Sequence, residues 1–277
     1  MTYLEKSPGK AKGGTQDRGE ASMSTYEIYA LKYAGPFLSS GAFLMWHRDW
    51  EKTVERNYYI WCARGTRDTV VVDTGVSPEL ARQKNLTGYI SPTQVLSQLH
   101  VNAHEVRHVI LTHIHWDHAS GASLFPNATF YVQEEEYHFW LKDRIAARPP
   151  FQYLLDEASK EYLASLEGTE RLVLLKGDCE ILPGIECLLS PGHTPALQTV
   201  AVHTEQGTAI LGSDCAHVFR NYQEDWPSSL IVDLVGWMNT YEKLRNKASS
   251  LDLIFPGHDV LMMEAYPEVA KGVTRLA

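Results

Sequence analysis

Four side chains that can bind metals lie within six consecutive residues of this 277-residue chain, in the run His113-Ile114-His115-Trp116-Asp117-His118. Residues two apart on a helix point to different faces, so these side chains can converge only if the segment is an irregular loop. The run follows the mainly apolar segment 106–111, whose pattern is typical of a buried strand. Imidazoles with a carboxylate suit zinc, and also iron, manganese or cobalt. The sequence therefore predicts a metal site at the end of a strand.

Three further candidate ligands each follow a predicted strand later in the chain: His193, Asp214 and His258. Both histidines come directly after a glycine, which lets backbone segments approach closely and redirects the next side chain. The run described above contains two adjacent pairs of candidates, which indicates two metals a few ångströms apart. Six other histidines are interpreted as ordinary surface or core residues: His47, His100, His104, His108, His138 and His203.

Strand and helix patterns alternate along most of the chain. Alternating or β-branched apolar runs predict strands at 26–33, 57–63, 69–72, 106–111, 129–132, 172–175, 187–189, 197–203, 208–211 and 251–255. Helical spacing predicts a helix over 91–101, two helices within 134–167 and a long helix over 229–248. No linker divides the pattern, so we expect one α/β domain over residues 23–277, with two packed sheets and outer helices. Residues 1–22 have few apolar side chains and are predicted to be a disordered N-terminal tail.

The composition excludes several classes of protein. A net charge of −9 argues against a nucleic-acid partner, because such proteins usually carry a basic surface. No apolar segment approaches the roughly 20 residues needed to span a bilayer, and the N-terminus lacks the apolar core of a signal peptide. The four cysteines have no disulfide-framework spacing and suit reduced thiols. We therefore expect a cytoplasmic monomer or homodimer that binds a small-molecule substrate and neither nucleic acid nor membrane.

Taken together, these residues resemble the metallo-β-lactamase superfamily over about residues 26–265. The shared features are a strand ending in Asp73-Thr74-Gly75, the histidine-rich run, the Gly-His-Thr around His193, the strand-end Asp214 and the late Gly-His of His258. The resemblance implies an αβ/βα four-layer sandwich, made of two mixed β-sheets with outer helices.

The same resemblance implies how the candidate ligands are shared between two divalent metal ions, most simply Zn²⁺. One ion would be bound by His113, His115 and His193, the other by Asp117, His118 and His258, and Asp214 would bridge them. Asp73 resembles the family's carboxylate that holds a ligand histidine in its working tautomer.

Details within the superfamily narrow the function. The best-known true β-lactamases carry a cysteine at the place of Asp214, whereas the cysteine here is Cys215. Flavo-diiron proteins carry glutamate at the place of His115, and the tRNA-processing nucleases have a basic exosite. What remains resembles the N-acyl homoserine lactone lactonases and related small lactonases. The resemblance implies opening of a lactone ring, and hence quorum quenching, by a metal-bridging hydroxide, since two cations lower the pKa of a shared water to roughly 7.

Two residues are candidates for catalysis in this reading. Asp117 would hold its metal and help to orient the nucleophile. His217 stands where the lactonases usually carry a tyrosine, three residues after the bridging aspartate. It could donate a hydrogen bond to the developing oxyanion or a proton to the leaving oxygen, and the alternative is a supporting or surface histidine. Cys215 is interpreted as a packing residue without a catalytic role.

Aromatic residues crowd two segments, 43–50 and 217–226, and suggest an apolar channel for an acyl chain. The candidates for substrate contact are Met45, Trp46, Trp50, Phe219 and Trp226, with Tyr137, Phe139 and Trp140 beside them. The alternative is that these residues belong to the ordinary core.

Two other functions remain open from the sequence. One is hydrolysis of another cyclic ester, amide or small xenobiotic by the same metal pair. The other is a non-catalytic binding or regulatory protein on a relict fold, although the complete set of candidate ligands argues against it.

Overall fold

The strands of this chain form two mixed β-sheets in the computed structural model, which describes residues 24–277. In chain order the strands are β1 (Glu27–Ser40), β2 (Thr53–Arg64), β3 (Thr69–Val72), β4 (His108–Ile110), β5 (Thr129–Gln133), β6 (Leu172–Leu175), β7 (Cys179–Leu182), β8 (Ile185–Leu189), β9 (Gln198–Thr204), β10 (Gly207–Ser213), β11 (Ile254–Pro256), β12 (Glu268–Ala270) and β13 (Val273–Arg275). The larger sheet has the order β12-β13-β1-β2-β3-β4-β5-β6, and the smaller one β11-β10-β9-β8-β7. The predicted tail, residues 1–22, lies outside the described residues.

The helices cover the outer faces of the sheets. They are α1 (Gly41–Leu44), α2 (Pro78–Gln83), α3 (Pro92–Ser97), α4 (Trp116–Ala119), α5 (Glu134–Lys142), α6 (Pro149–Gln152), α7 (Glu157–Ser165), α8 (Phe219–Gln223), α9 (Leu234–Lys247) and α10 (Leu261–Glu264). The longest, α9, begins where the Asp233 carboxylate accepts a hydrogen bond from the Gly236 backbone N–H, which satisfies one of its free donors. Within residues 24–277, none of the helices has the length and apolar character needed to cross a membrane.

Buried side chains fill three layers between these elements. Ile28 of the larger sheet and Val200 of the smaller sheet belong to the core between the two sheets. Leu31, on the other face of β1, packs with the helices over the larger sheet, whereas Trp237 of α9 packs on the smaller sheet. The order helix, sheet, sheet, helix confirms the predicted αβ/βα sandwich.

Parallel strands bring the candidate ligands to one edge of the sandwich. β3 and β4 run parallel with Val72 opposite Ile110, so Asp73 and the histidine-rich run leave the larger sheet side by side. β10 and β11 run parallel with Leu211 opposite Phe255, so Asp214 and His258 leave the smaller sheet in the same way. Sites on sheets of this kind commonly form at the carboxyl ends of parallel strands.

Several predicted elements differ from the structure in detail. Three helices, α5 to α7, occupy 134–167, where two were expected, because the Pro149-Pro150 pair starts a short helix of its own. Residues Leu251–Leu253 form a 3₁₀ turn, and the strand predicted at 251–255 begins only at Ile254. The short elements β7, α8, β12 and β13 were not predicted.

We expect Gly121→Ala to destabilise the protein by roughly 1–3 kcal/mol. A Cβ at this position would lie 2.2 Å from the carbonyl oxygen of Thr74, so the backbone would have to move. Gly121 has a φ of −87°, which any residue adopts, so the loss would be purely steric. Urea unfolding measures it. The control is Gly177→Ala, where φ is +72° but no atom lies within 4 Å of the added Cβ. A loss no greater than that of the control would show that the contact yields easily.

Candidate metal centre

The histidine-rich run divides into a loop and a helical turn. His113 and His115 lie in the loop after β4, while Asp117 and His118 lie on α4. The prediction of an irregular loop is therefore right for the first half of the run and wrong for the second. The prediction considered residues two apart, which point to different faces of a helix. Asp117 and His118 are consecutive, so they are rotated by only about 100° on α4 and can reach one site together.

Three buried imidazoles meet at one side of the centre. The Nδ1 atom of His115 lies 3.1 Å from Nε2 of His113 and 3.0 Å from Nε2 of His193, which comes from the loop between β8 and β9. Two nitrogens bound tetrahedrally to one zinc ion would lie about 3.4 Å apart, given the usual Zn–N bond length. The three nitrogens are therefore spaced to fit a single cation.

Asp117, His118 and His258 meet at the other side. Oδ2 of Asp117 lies 3.7 Å from Nε2 of His118 and 3.8 Å from Nε2 of His258, which follows β11. The three ligand atoms all lie within 4.8 Å of one another. This second group also fits one cation.

Asp214 lies between the two groups and faces each with a different oxygen. Its Oδ2 lies 3.4 Å from Nε2 of His193, and its Oδ1 lies 2.9 Å from Nε2 of His258 and 3.3 Å from Nε2 of His118. A Cβ at Gly257 would come within 2.6 Å of Oδ1, so the carboxylate needs a glycine beside it. All seven predicted ligand residues are thus brought together, in the arrangement that a bridging carboxylate requires.

The outer nitrogens of three imidazoles are fixed by acceptors. Nδ1–H of His118 donates to Asp73 at 2.7 Å, that of His258 to the Asn57 carbonyl at 2.8 Å, and that of His193 to the Leu230 carbonyl at 3.1 Å. This tautomer leaves each Nε2 with a lone pair directed at the centre.

Asp73 is held in place for this task by the loop after β4. Its carboxylate accepts hydrogen bonds from the backbone N–H and the hydroxyl of Thr112, at 2.8 and 2.9 Å. Its φ of +61° is unusual for a residue with a side chain, and persists because the surrounding contacts determine it. Asp73 therefore has the geometry that its resemblance to the family's orienting carboxylate predicts.

The electrostatics of the centre favour a positive charge. Burial lowers the pKa of His113 and of His115 well below the usual value, so both imidazoles are neutral, as a metal ligand must be. Burial also disfavours charge on His118, but Asp214, Asp117 and Asp73 outweigh it and raise the pKa of that imidazole well above the usual value. A cation bound at the centre would supply the positive charge that these carboxylates otherwise draw from a proton on His118.

Two buried atoms support the same interpretation. Nε2 of His118 and Oδ1 of Asp214 have no hydrogen-bond partner among residues 24–277. Leaving such groups unpaired costs about 1–3 kcal/mol each or more. Both atoms face the centre, where a divalent cation would satisfy them, so the residues present fit a bound metal.

His217 joins the same cluster, and the surface alternative for it is wrong. Its Nε2 lies 3.2 Å from Oδ2 of Asp214, and its ring centroid lies 5.2 Å from that of His193. The residue is only 2% exposed, and burial lowers the pKa of its imidazole well below the usual value.

The predicted substrate contacts are placed less favourably. Met45 is 2% exposed and lies in a small core cluster with Leu44 and Val218. Trp50 is 66% exposed, and its ring contacts that of His47. Neither residue forms a ring contact with the histidines of the centre among residues 24–277, and both substrate contacts stay predictions.

Three of the predicted contacts lie in intermediate positions. Phe219 is half-buried and packs against Tyr222, so it belongs largely to the core. Trp226 is half-buried and donates its indole N–H to the Trp46 carbonyl at 2.5 Å, which ties the two aromatic segments together. None of these three forms a ring contact with the histidines of the centre in the described part of the chain.

Other rings form the walls of the centre. Phe43 lies 6.0 Å from the ring of His217, Tyr58 lies 5.2 Å from that of His258, and Trp140 lies 5.0 Å from that of His115. Trp140 was expected beside the channel. Tyr58 was missed, since nothing in the pattern of β2 distinguishes it from the neighbouring core residues.

Glu136 is a further residue that the sequence did not reveal. Its fully buried carboxylate accepts hydrogen bonds from the Ile114 and Ala196 backbone N–H groups, from the Thr194 hydroxyl and from the Trp140 indole, at 2.6–3.2 Å. These bonds join the loop of His113 and His115 to the loop that follows His193. In the sequence Glu136 is the last of three consecutive glutamates, a pattern typical of a solvated helix start.

Comparison with known proteins agrees with this geometry. The family model described as the Metallo-beta-lactamase superfamily matches residues 54–258. The chain belongs to the metallo-β-lactamase superfamily. The family and the fold predicted from the motifs are thereby confirmed.

Relatives in this superfamily include characterised lactonases. An N-acyl homoserine lactonase of Bacillus cereus is 24% identical over 222 residues, which cover 74% of this chain and 82% of the relative. The N-acyl homoserine lactonase AiiB of Rhizobium rhizogenes is 25% identical over 219 residues, covering 73% and 78%. The expected class, a metal-dependent hydrolase, is the class of these relatives.

Solved structures share the fold. A quorum-quenching N-acyl homoserine lactone lactonase superposes with a TM-score of 0.73 at 20% identity, covering 89% of this chain and 98% of that one. An N-acyl homoserine lactone hydrolase with N-hexanoyl-L-homoserine at its catalytic metal centre gives the same TM-score and coverage at 19% identity.

We expect the stability that Glu136 confers on the metal-free protein to fall as pH rises. Burial raises the pKa of Glu136 to about 7, from 4.5 in the unfolded chain. Between these two pH values the folded state keeps a proton on Glu136, whereas the unfolded state has lost it. The free energy of unfolding therefore falls as the pH rises from about 4.5 to about 7. The total loss is at most about 3 kcal/mol.

The measurement is the difference in unfolding free energy between the wild type and Glu136→Gln, in chelator, between about pH 5 and pH 8. That difference should shrink as pH rises. Glu135→Gln, on the exposed side of α5, is the control and should show no such slope. A constant difference for Glu136→Gln would contradict the assignment.

Proposed function

We propose that this chain is a dinuclear metal-dependent hydrolase that opens lactone rings, with N-acyl homoserine lactones as the foremost substrates. The observation that carries the proposal is the position of Asp214, whose two oxygens face two separate groups of candidate ligands. The substrate class follows from the relatives, which are named N-acyl homoserine lactonases, and from the solved structure that holds N-hexanoyl-L-homoserine.

Each cation would have its own ligand set in this proposal. His113, His115 and His193 would hold one, Asp117, His118 and His258 the other, and Asp214 both. The donor set suits Zn²⁺, and Fe, Mn or Co can use the same donors. When bound, the two cations would lower the pKa of a shared water to roughly 7 and polarise the ester carbonyl.

The chain's own residues prepare and assist this chemistry. Asp73 keeps the proton of His118 on Nδ1, so Nε2 remains available as a ligand. Asp117 holds its cation and orients the nucleophile from the same side. The neutral His217 can place an Nε2–H against Asp214 Oδ2, and this donor becomes free for a substrate oxygen once the carboxylate binds cations. His217 would then stabilise the oxyanion or protonate the leaving oxygen.

The rings around the centre would exclude bulk water from the reaction. Phe43, Tyr58 and Trp140 stand against three of the histidines, on three different elements. An apolar wall strengthens the interaction between a developing negative charge and its donors, because the local dielectric constant falls. The same walls could receive the acyl chain of the substrate.

The function is tested with a panel of substrates. Homoserine lactones with different acyl chains are compared with simple γ-lactones, cyclic amides and phosphotriesters, with and without a chelator. We expect homoserine lactones to be turned over fastest and the chelator to abolish turnover. Faster turnover of another class would favour the alternative of a different cyclic ester, amide or xenobiotic, and chelator-resistant turnover would contradict the proposal.

We expect His115→Ala and Asp214→Ala to reduce turnover to the level of the chelated enzyme without unfolding the chain. Asp214→Ala should also lower the bound metal from about two ions per chain to fewer than one, since both sites lose a ligand. Metal analysis and thermal unfolding provide the readouts. His104→Ala, an exposed histidine away from the cluster, is the control and should retain metal and activity. Near-wild-type activity in either centre variant would refute the ligand assignment.

A further inference from the structure

A guanidinium group without an acidic partner lies beside the metal centre. Arg56 is half-buried on β2, and its Nε–H donates to the Ser39 hydroxyl at 2.7 Å. Its Cζ lies 4.8 Å from the ring centroid of Tyr58 and 5.8 Å from that of Phe43. Among residues 24–277, no carboxylate comes within the 4.0 Å of an ion pair with Arg56.

The two rings that hold this guanidinium are walls of the centre itself. Phe43 stands against His217, and Tyr58 against His258. One aromatic layer therefore separates Arg56 from the candidate metal ligands.

Two arginines in the segments around Phe43 and His217 are paired with acidic residues. Arg48 pairs with Glu224 at 2.8 Å, and Arg220 pairs with Asp49 at 2.7 Å. Acidic residues outnumber basic ones in the whole chain, 34 to 25, so acidic partners are not scarce. The stacking of Arg56 on Tyr58 is a weak interaction, which gives little structural reason to leave a half-buried charge unpaired.

We infer that Arg56 is a specificity residue that selects lactones whose acyl substituent carries a carboxylate. This inference rests on the lactonase function proposed above. A guanidinium presents its N–H donors in a planar fork that matches the two oxygens of a carboxylate. With Nε engaged by Ser39, the terminal nitrogens of Arg56 are the donors left for the substrate. The lactone carbonyl would then lie at the metal centre and the acidic group beyond the ring of Phe43 or Tyr58.

A matched pair of substrates tests this inference: N-succinyl homoserine lactone, which ends in a carboxylate, and its methyl ester. We expect the wild type to prefer the acid in kcat/KM by roughly 10- to 100-fold, mainly through KM, since a hydrogen bond to a charged group contributes about 1.5–3 kcal/mol. Arg56→Met should lower this acid-to-ester ratio to near one. Arg56→Lys should retain part of the preference, because it keeps the charge but loses the fork.

Arg82→Met is the matched control, because Arg82 is exposed on α2 and paired with Glu79. It removes the same charge and should leave the ratio at the wild-type value. A wild type that turns over both substrates equally, or an unchanged ratio in Arg56→Met, would overturn the role of Arg56 while leaving the lactonase function intact. Turnover of neither substrate by the metal-loaded wild type, with no activity on the wider lactone panel, would instead overturn the proposed function.

Discussion

Burial of several carboxylates around a cluster of imidazoles is the constraint on which the rest of this structure depends. Asp73, Asp117 and Asp214 are all less than a tenth exposed, and no lysine or arginine of residues 24–277 forms an ion pair with them. An uncompensated buried charge costs several kcal/mol. Protons on the histidines can meet this cost only in part, since burial keeps His113 and His115 neutral. Divalent cations bound at the centre would balance the cluster far better.

The fold supplies this cluster by using both sheets at one edge. The larger sheet contributes Asp73 and the histidine-rich run, and the smaller sheet contributes Asp214 and His258, each just beyond the end of a parallel strand. Two residues with a positive φ, Asp73 and Ser213, lie at this edge and take part in the hydrogen bonds that position the ligands. Such strain persists only where surrounding contacts determine it, and here the contacts are the hydrogen bonds of the centre itself.

The sequence was sufficient to predict which residues meet at the candidate metal centre, because they are concentrated in short motifs with a glycine or a strand end beside them. It was insufficient wherever a role depends on contacts between distant segments. Glu136 looks like a solvated residue in an acidic run, and its four hydrogen-bond donors come from distant loops and its own helix. Met45 and Phe43 belong to the same aromatic segment and pack in the same small cluster, yet only Phe43 places its ring against His217. Short elements such as α4 and α8 are set by tertiary contacts more than by their own pattern.

The charge distribution also bears on which substrates can approach the centre. The chain as a whole carries a charge of −9, which opposes an anionic molecule at long range. Physiological salt screens this field beyond about 8 Å, so groups close to the site determine binding. At that range an anion would meet Arg56 and the cations proposed for the centre, while Arg48 and Arg220 are neutralised by their own partners. An acidic protein can thus bind an acidic substrate, provided that an unpaired positive charge lies where the substrate binds.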